Sequence, residues 1–132
     1  MKTATPAKVA DASVIAALIF GEERREEAAS LLGGALLHEP ALLGYELASV
    51  ARKKSLRRPD RADILSAALE RGLALDIEWT EVDHAEILRL ALQTGLTTYD
   101  ATYLHVARSL GAPLVTFDSR IIAVMERDSL GG

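Results

Sequence analysis

Four acidic residues stand where their carboxylates could do chemistry. Asp11 and Asp118 each follow a short apolar segment that is typical of a buried strand, and Asp100 lies in the first turn of a predicted helix. Glu46 lies on the apolar stripe of another predicted helix. In open α/β sheets, ligands bind outside the carboxyl ends of the strands, so acids that follow strands are candidates for a shared site.

Three of the four acids also have an ordinary structural explanation. The two that follow strands fit helix N-caps, and the one in a first helical turn meets the positive end of a helix dipole. Neither explanation applies to Glu46, because it lies four residues from both Leu42 and Val50 on one apolar helix face. A carboxylate on a buried face must be paired, neutral or bound to a metal, since burying the bare charge is prohibitively costly.

Convergence of the four acids would define the chemistry of the site. Like charges close to one another raise one another's pKa. A hard divalent cation relieves this repulsion, and Mg²⁺ and Mn²⁺ prefer carboxylate oxygens. Such a site suits phosphodiester hydrolysis, because the metal activates a water molecule and stabilises developing negative charge. Zinc is not expected, since the chain has no cysteine and no histidine at zinc-ligand spacing.

The composition fits one soluble globular domain, because 49% of the 132 residues are hydrophobic and 26% are charged. The absence of cysteine excludes disulfides and thiolate chemistry and is compatible with a cytoplasmic location. The longest apolar run, 14–20, is too short to cross a bilayer, and its charged flanks do not match a targeting segment. We therefore expect no contact with a membrane.

A run of basic residues is the one local patch that could attract nucleic acid, because the formal net charge of the chain is −4. It has six members within ten positions: Arg52, Lys53, Lys54, Arg57, Arg58 and Arg61. The run either complements the C-terminal end of a helix and continues into a solvated loop, or contacts phosphates or a partner protein. The sequence leaves these alternatives open.

Short apolar strands alternate with helices along the chain, which predicts an α/β fold with a mainly parallel sheet. Strands are predicted at 8–10, 35–38, 73–79 and 114–117, and the last is expected to be central because it is an apolar run. Helices are predicted at 14–20, 22–32, 41–55, 61–71, 84–94, 99–110 and after Asp118. Gly72 is predicted to cap the fourth helix.

Four segments carry a family resemblance over nearly the whole chain. They are VADAS at 9–13, YELA at 45–48, LTTYDA at 96–101 and GAPLVTFD at 111–118, and each contains one of the four acids. Four such segments in this order and spacing are far more specific than any one of them. The sequence resembles PIN-domain proteins, and specifically the VapC-type toxins of prokaryotic toxin–antitoxin pairs.

The resemblance implies a single PIN-like domain over 1–132, with three α/β/α layers and a short sheet of four to five strands. It implies an endoribonuclease that depends on Mg²⁺ or Mn²⁺ and acts as a toxin. The catalytic and metal-binding residues that it implies are Asp11, Glu46, Asp100 and Asp118. Ser13 and Thr116 would orient these ligands through their hydroxyls.

The partners that the resemblance implies are an RNA substrate, a cognate antitoxin whose segment occupies the active-site groove, and a second copy of the chain in a homodimer. Family members often add an edge strand after the last helix, but this chain ends soon after it, which leaves a fifth strand open.

Two other functions compete with the nuclease. A non-catalytic PIN-like module that binds RNA or protein would keep the acidic pocket without turnover, and a nuclease assay with and without EDTA separates the two. A phosphoacceptor receiver module needs a lysine on its last strand, whereas the last lysine of this chain is Lys54.

Overall fold

The structure is a computed structural model that describes residues 5–130. Its four strands are β1 (Ala7–Ala10), β2 (Leu36–Glu39), β3 (Ile77–Trp79) and β4 (Leu114–Val115). Its helices are α1 (Ala12–Ile19), α2 (Arg25–Leu32), α3 (Leu42–Arg57), α4 (Ala62–Leu73), α5 (His84–Thr94), α6 (Thr98–Leu110) and α7 (Ser119–Leu130), with a 3-10 turn at Pro59–Arg61 before α4. Among the described helices, none has the length and the apolar run that crossing a bilayer requires.

The four strands form one parallel sheet in the order β3-β2-β1-β4. Helices flank this sheet, so the predicted α/β/α fold with a mainly parallel sheet is confirmed. No further strand follows α7 within residues 5–130, and positions 131–132 lie outside the described residues.

The prediction that the last strand is central in the sheet is wrong. Strand β4 has only two residues and pairs with β1 alone, so it lies at the edge of the described sheet. The apolar run continues to Phe117, but the backbone leaves the sheet earlier because its polar groups turn toward the start of α1. There, Thr116 donates a hydrogen bond to Asp11, and the amide of Phe117 donates one to Ser13.

Two groups of buried apolar side chains make up the core. The larger one surrounds β1 and joins α1 to α3 and α6 through residues such as Val9, Ile15, Leu43 and Val106. The smaller one joins α5, α6 and α7. Helix α6 contributes side chains to both groups, so packing on two sides holds it in place.

The prediction that Gly72 caps α4 is also wrong. Gly72 lies inside the helix and is buried, and a Cβ atom at this position would come within 2.7 Å of Ile19 Cδ1 and 2.9 Å of Ile19 Cγ2. Its glycine is therefore needed for the close approach of α4 to α1, and the helix continues to Leu73. Because Leu73 belongs to the helix and residues 74–76 form a turn, the strand predicted at 73–79 is confined to Ile77–Trp79.

The other element boundaries differ from the prediction by a few residues. Helix α2 begins at Arg25 instead of Glu22, because residues 21–24 form a turn that Gly21 enters with a φ of 66°. The predicted helices at 84–94 and 99–110 agree with α5 and α6 to within one residue, because local residues fix their ends: Asp83 and Thr97 are N-caps, and Gly95 and Gly111 end the helices in the left-handed conformation.

Candidate active site

The end of β1 positions the first predicted acid, Asp11. Its backbone is extended, and its Oδ1 atom accepts hydrogen bonds from the amides of Ser13 and Val14, so it caps α1. The same oxygen accepts a hydrogen bond from the Ser13 hydroxyl at 2.6 Å, and Oδ2 accepts one from the Thr116 hydroxyl at 2.5 Å. Both hydroxyls that the sequence singled out therefore contact this carboxylate and fix its orientation.

The loop after β4 brings the fourth acid, Asp118, to the same end of the sheet. Thr116 links the two acids, because its hydroxyl donates to Asp11 and accepts a hydrogen bond from the Asp118 amide at 2.9 Å. The Asp118 carboxylate in turn accepts hydrogen bonds from the amides of Arg120 and Ile121 at the start of α7. It is therefore both a helix cap and a member of the acidic group.

The third acid, Asp100, lies in the first turn of α6. The N-cap residue Thr97 accepts a hydrogen bond from the Asp100 amide at 3.1 Å, which sets the start of this helix. Arg120 connects the third acid to the fourth: its Nη2 lies 3.7 Å from Asp100 Oδ2 and 3.2 Å from Asp118 Oδ2.

The second acid, Glu46, lies on α3 between the fully buried residues Leu43 and Leu47 and is itself half-buried. Its Oε1 atom accepts a hydrogen bond of 2.6 Å from the hydroxyl of Tyr103, a buried residue of α6. The partner that the structure provides for this acid is therefore a neutral hydroxyl and not a cation. The pairing also joins α3 to α6, which carries Asp100.

The four acids share one electrostatic environment. Burial is the largest cause that raises the pKa of Asp11, Glu46 and Asp100. The charge of Asp100 further raises the pKa values of Asp11 and Glu46, and that of Asp118 raises the pKa of Asp100. Only Asp118 has a lowered pKa, chiefly because of its hydrogen bonds with Arg120.

A divalent metal ion fits the chemistry of these donors, because they are all oxygens and a shared positive charge would relieve their mutual repulsion. Within residues 5–130, however, no three histidine or acidic side chains stand close enough together to hold one metal ion as they are. Two of the carboxylates are instead engaged by Arg120, and one by Tyr103.

Sequence reasoning missed the most deeply buried acid, Glu39, the last residue of β2. Its side chain is fully buried, and burial, together with the charge of Asp11, raises its pKa to about 9 despite a hydrogen bond from the Ala10 amide. The available signal was the alternation of strand residues, since Glu39 lies two positions after the buried Leu37. The predicted strand stopped one residue too early, at His38, so this alternation was not read.

Two adjoining cavities lie beside Glu46. One, of about 390 Å³, is lined by Glu46 together with Tyr45, Lys53 and Tyr99, among others. The second, of about 460 Å³, is apolar and shares Leu42 and the two tyrosines with the first. Both tyrosines are largely exposed, so their rings are available to a bound molecule.

The basic run divides between two places. Lys53 lines the cavity that contains Glu46, whereas four other members surround a separate cavity of about 260 Å³ with Phe20 and Leu65: Lys54, Arg57, Arg58 and Arg61. Lys54 is paired with Glu22 at 2.9 Å. Arg58 is paired with Asp60, also at 2.9 Å.

Comparisons with known proteins identify the family to which the chain belongs. Residues 8–126 match the family profile described as the PIN domain. A relative named ribonuclease VapC3, from Pyrobaculum aerophilum, is 37% identical over 122 residues, which cover 86% of this chain and 90% of the relative. A second relative from the same organism, named exonuclease VapC9, is 53% identical over 38 residues, or 29% of each chain.

Solved structures share the fold over most of its length. The crystal structure of PAE2754 from Pyrobaculum aerophilum superposes with a TM-score of 0.73 at 28% identity, covering 92% of this chain and 87% of that one. VapC20 of Mycobacterium tuberculosis, described as a sarcin-ricin loop cleaving toxin, gives a TM-score of 0.63 at 21% identity, with 88% and 93% covered, and supports the fold alone. From its profile match and its relatives, this chain belongs to the PIN-domain family and is a PIN protein of the VapC type.

Proposed function

We propose that this protein is an endoribonuclease that depends on Mg²⁺ or Mn²⁺ and acts as the toxin of a toxin–antitoxin pair. The observation that carries the proposal is that acids from four separate elements lie near one another at the carboxyl end of the sheet, where burial and neighbouring negative charge raise the pKa values of Asp11, Glu46 and Asp100. The similarity to the relative named ribonuclease VapC3 supports RNA as the substrate.

The chain's own residues would prepare the site for the metal. The proposed ligands are the carboxylates of Asp11, Glu46, Asp100 and Asp118. When bound, Mg²⁺ or Mn²⁺ would activate a water molecule and stabilise the charge that develops on the phosphate. The hydroxyls of Ser13, Thr116 and Tyr103 hold two of these carboxylates in place, which is the role that outer hydrogen bonds have in metal sites.

The groove formed by the two cavities beside Glu46 supports a single-stranded segment of RNA as the substrate. Tyr45 and Tyr99 expose 76% and 61% of their surface next to the cavity that contains Glu46. Unpaired bases stack on exposed aromatic rings, whereas paired bases cannot reach them. Lys53 adds a positive charge to the same cavity and would contact the RNA backbone.

The proposed partners are the cognate antitoxin and a second copy of the chain. The antitoxin segment would cover the same groove and its exposed tyrosines, which would block access of RNA. For the homodimer, the strongest support is the outer face of α5, where Leu88 and Leu92 expose 54% and 78% of their surface. Neighbouring leucines with this exposure are typical of surfaces that a partner covers.

The proposal is tested with purified wild-type protein and the Asp100→Asn variant, each incubated with RNA and Mg²⁺ or with RNA and EDTA. We expect cleavage only by the wild type and only with the metal, with the variant at least about a hundredfold slower, since it loses a metal-binding charge. Circular RNA separates the proposed endonuclease from an exonuclease, the activity in the name of the second relative, because an endonuclease opens a circle and an exonuclease cannot begin on one.

The competing non-catalytic module predicts a different result. It would bind RNA, but neither protein would cleave it, with or without EDTA. Equal cleavage by the wild type and Asp100→Asn would remove the acids from the mechanism. If only the wild type cleaves RNA, sequencing of RNA ends in cells that express the wild type or the variant would identify the substrate.

A further inference from the structure

Arg120 stands between two of the proposed metal ligands. Its guanidinium contacts Asp118 through Nη2 at 3.2 Å and through Nε at 3.4 Å, and the same Nη2 lies 3.7 Å from Asp100. The two acids come from different elements, since one precedes α7 and the other belongs to α6. A single side chain therefore places a positive charge beside both acids.

The ion pairs that Arg120 forms with the two acids can be broken at little cost. The side chain exposes 69% of its surface, so it is held by these two ionic contacts and not by packing. Exposed ion pairs are weak, because water competes for both partners. A divalent cation that binds the same carboxylate oxygens carries twice the charge, so it would displace the guanidinium.

An arginine released at this position would lie next to the phosphate that the metal binds. The guanidinium is planar and always charged, and it binds phosphate oxygens through two parallel hydrogen bonds. The side chain starts from the second residue of α7, so it can turn from the acids to a phosphate without any change in the backbone.

We propose that Arg120 is an exchangeable counter-ion, which neutralises Asp100 and Asp118 when the metal is absent and binds an RNA phosphate when the metal has taken their oxygens. This inference rests on the proposed nuclease function. It predicts that loss of Arg120 raises the affinity for the metal and lowers the affinity for RNA, because the side chain competes with the metal but contacts the RNA.

The first test is calorimetric titration of Mn²⁺ alone into the wild type and the Arg120→Gln variant. We expect the variant to bind Mn²⁺ about three- to tenfold more tightly, since the competing cation is gone. The Arg120→Lys variant, which keeps the charge, should bind Mn²⁺ with nearly the wild-type affinity. Thermal unfolding of each variant shows that the fold is retained.

The matched control is Arg24→Gln. Arg24 is a neighbouring cation that stacks on the ring of Phe117 at 3.7 Å, but its guanidinium is engaged by Glu27 and touches neither acid. The variant removes one positive charge near the site without removing a competitor, so its Mn²⁺ affinity should match the wild type.

The second test measures binding of a fluorescent single-stranded RNA by anisotropy, once with Ca²⁺ in place of Mg²⁺ and once with EDTA. We expect Arg120→Gln to bind RNA about tenfold more weakly than the wild type with Ca²⁺, since it loses a charge-assisted phosphate contact, and equally with EDTA. Arg120→Lys should be intermediate with Ca²⁺, because it lacks the planar fork.

The outcomes separate this inference from the proposed function. A wild type that binds Mn²⁺ and a variant that binds it equally or less tightly would overturn the inference and leave the nuclease proposal intact. The same loss of RNA affinity in Ca²⁺ and in EDTA would also overturn it, since a fixed contact does not depend on the metal. A wild type that binds no Mn²⁺ would refute the proposed function and, with it, any exchange.

Discussion

Glu39 accepts a hydrogen bond from the backbone amide of Ala10 through Oε2 at 2.8 Å, in the fully buried centre of the protein. The bond joins the last residue of β2 to the last residue of β1, directly before Asp11 leaves the sheet. The other oxygen, Oε1, has no hydrogen-bond partner among the described residues. With a pKa of about 9, this carboxyl is neutral at physiological pH and supports the active-site strand without adding charge to it.

Glu39 should make the stability of the protein depend on pH. Its pKa is raised from 4.5 to about 9 on folding, so the folded state holds a proton that the unfolded chain releases above pH 4.5. The stabilisation is complete below pH 4.5 and is lost as the pH rises toward 9, with a slope of at most about 1.4 kcal/mol per pH unit.

The Glu39→Gln variant isolates this contribution, because glutamine keeps an oxygen for the Ala10 amide but cannot titrate. Urea unfolding between pH 5 and pH 9 should give a free energy of unfolding that falls more steeply for the wild type than for the variant. If both proteins followed parallel pH curves, Glu39 would titrate normally, and its burial would have no electrostatic consequence.

Local sequence signals were sufficient for much of the fold. Asp83 and Thr97 begin α5 and α6, because their side-chain oxygens accept hydrogen bonds from amides of the first turn. Gly95 and Gly111 end the two helices, because glycine adopts the left-handed conformation without strain. A cap is decided by the few residues around it, so a single sequence contains the information. The same holds for Glu46, whose place on an apolar helix face marked it before any contact was known.

Long-range contacts decided the features that the sequence did not predict. In the sequence, Gly72 resembles a helix cap. Only the position of Ile19 on another helix shows that Gly72 is needed for the close packing of α4 against α1. The edge position of β4 depends on the strand order, which no local pattern encodes. Arg120 resembled any residue in the first turn of a helix, since its two acidic partners are set by tertiary structure.

Removal of the Tyr103 hydroxyl should reduce RNA cleavage by the proposed site at acidic pH. That hydroxyl donates to Glu46 at 2.6 Å and lowers the pKa of Glu46, against the larger effect of burial. In Tyr103→Phe, the Glu46 pKa should therefore rise, so the carboxylate would be protonated at a higher pH. We expect the acid limb of the RNA cleavage profile to move to higher pH and the free energy of unfolding to fall by about 1 kcal/mol.

The matched control for this change is Tyr45→Phe. Tyr45 lines the same cavity, but 76% of its surface is exposed, and its hydroxyl donates no hydrogen bond to the described residues. Its pH profile should coincide with that of the wild type. An acid limb that stays in place in Tyr103→Phe would mean that the hydroxyl does not tune Glu46.

The space around Gly72 and Gly44 predicts opposite effects for substitution of these two glycines by alanine. Gly72→Ala would place a Cβ atom within 2.9 Å of two Ile19 carbons, and overpacking of this kind costs about 1–3 kcal/mol of stability. Gly44→Ala adds a Cβ atom that lies 3.9 Å from Leu73, so it should stabilise α3 by roughly 0.5–1 kcal/mol.

Urea unfolding of the two variants measures both effects. A third variant, Ile19→Ala combined with Gly72→Ala, tests the cause, because removing the Ile19 side chain should make Gly72→Ala less costly than it is in the wild type. Equal stabilisation by both glycine substitutions would show that the two helices separate easily and that Gly72 is not a packing requirement.

The basic run should contribute to RNA affinity through Arg57 and Arg61, which line the outlying cavity and have no acidic partner within ion-pair distance among the described residues. Neutralising both in Arg57→Gln/Arg61→Gln should weaken RNA binding and lower the slope of log affinity against log salt by roughly 1–2. The control Arg108→Gln removes a charge that Asp128 already neutralises, so the slope should not change. If the double variant bound RNA normally but lost its antitoxin, the run would instead be the partner surface that the sequence left open.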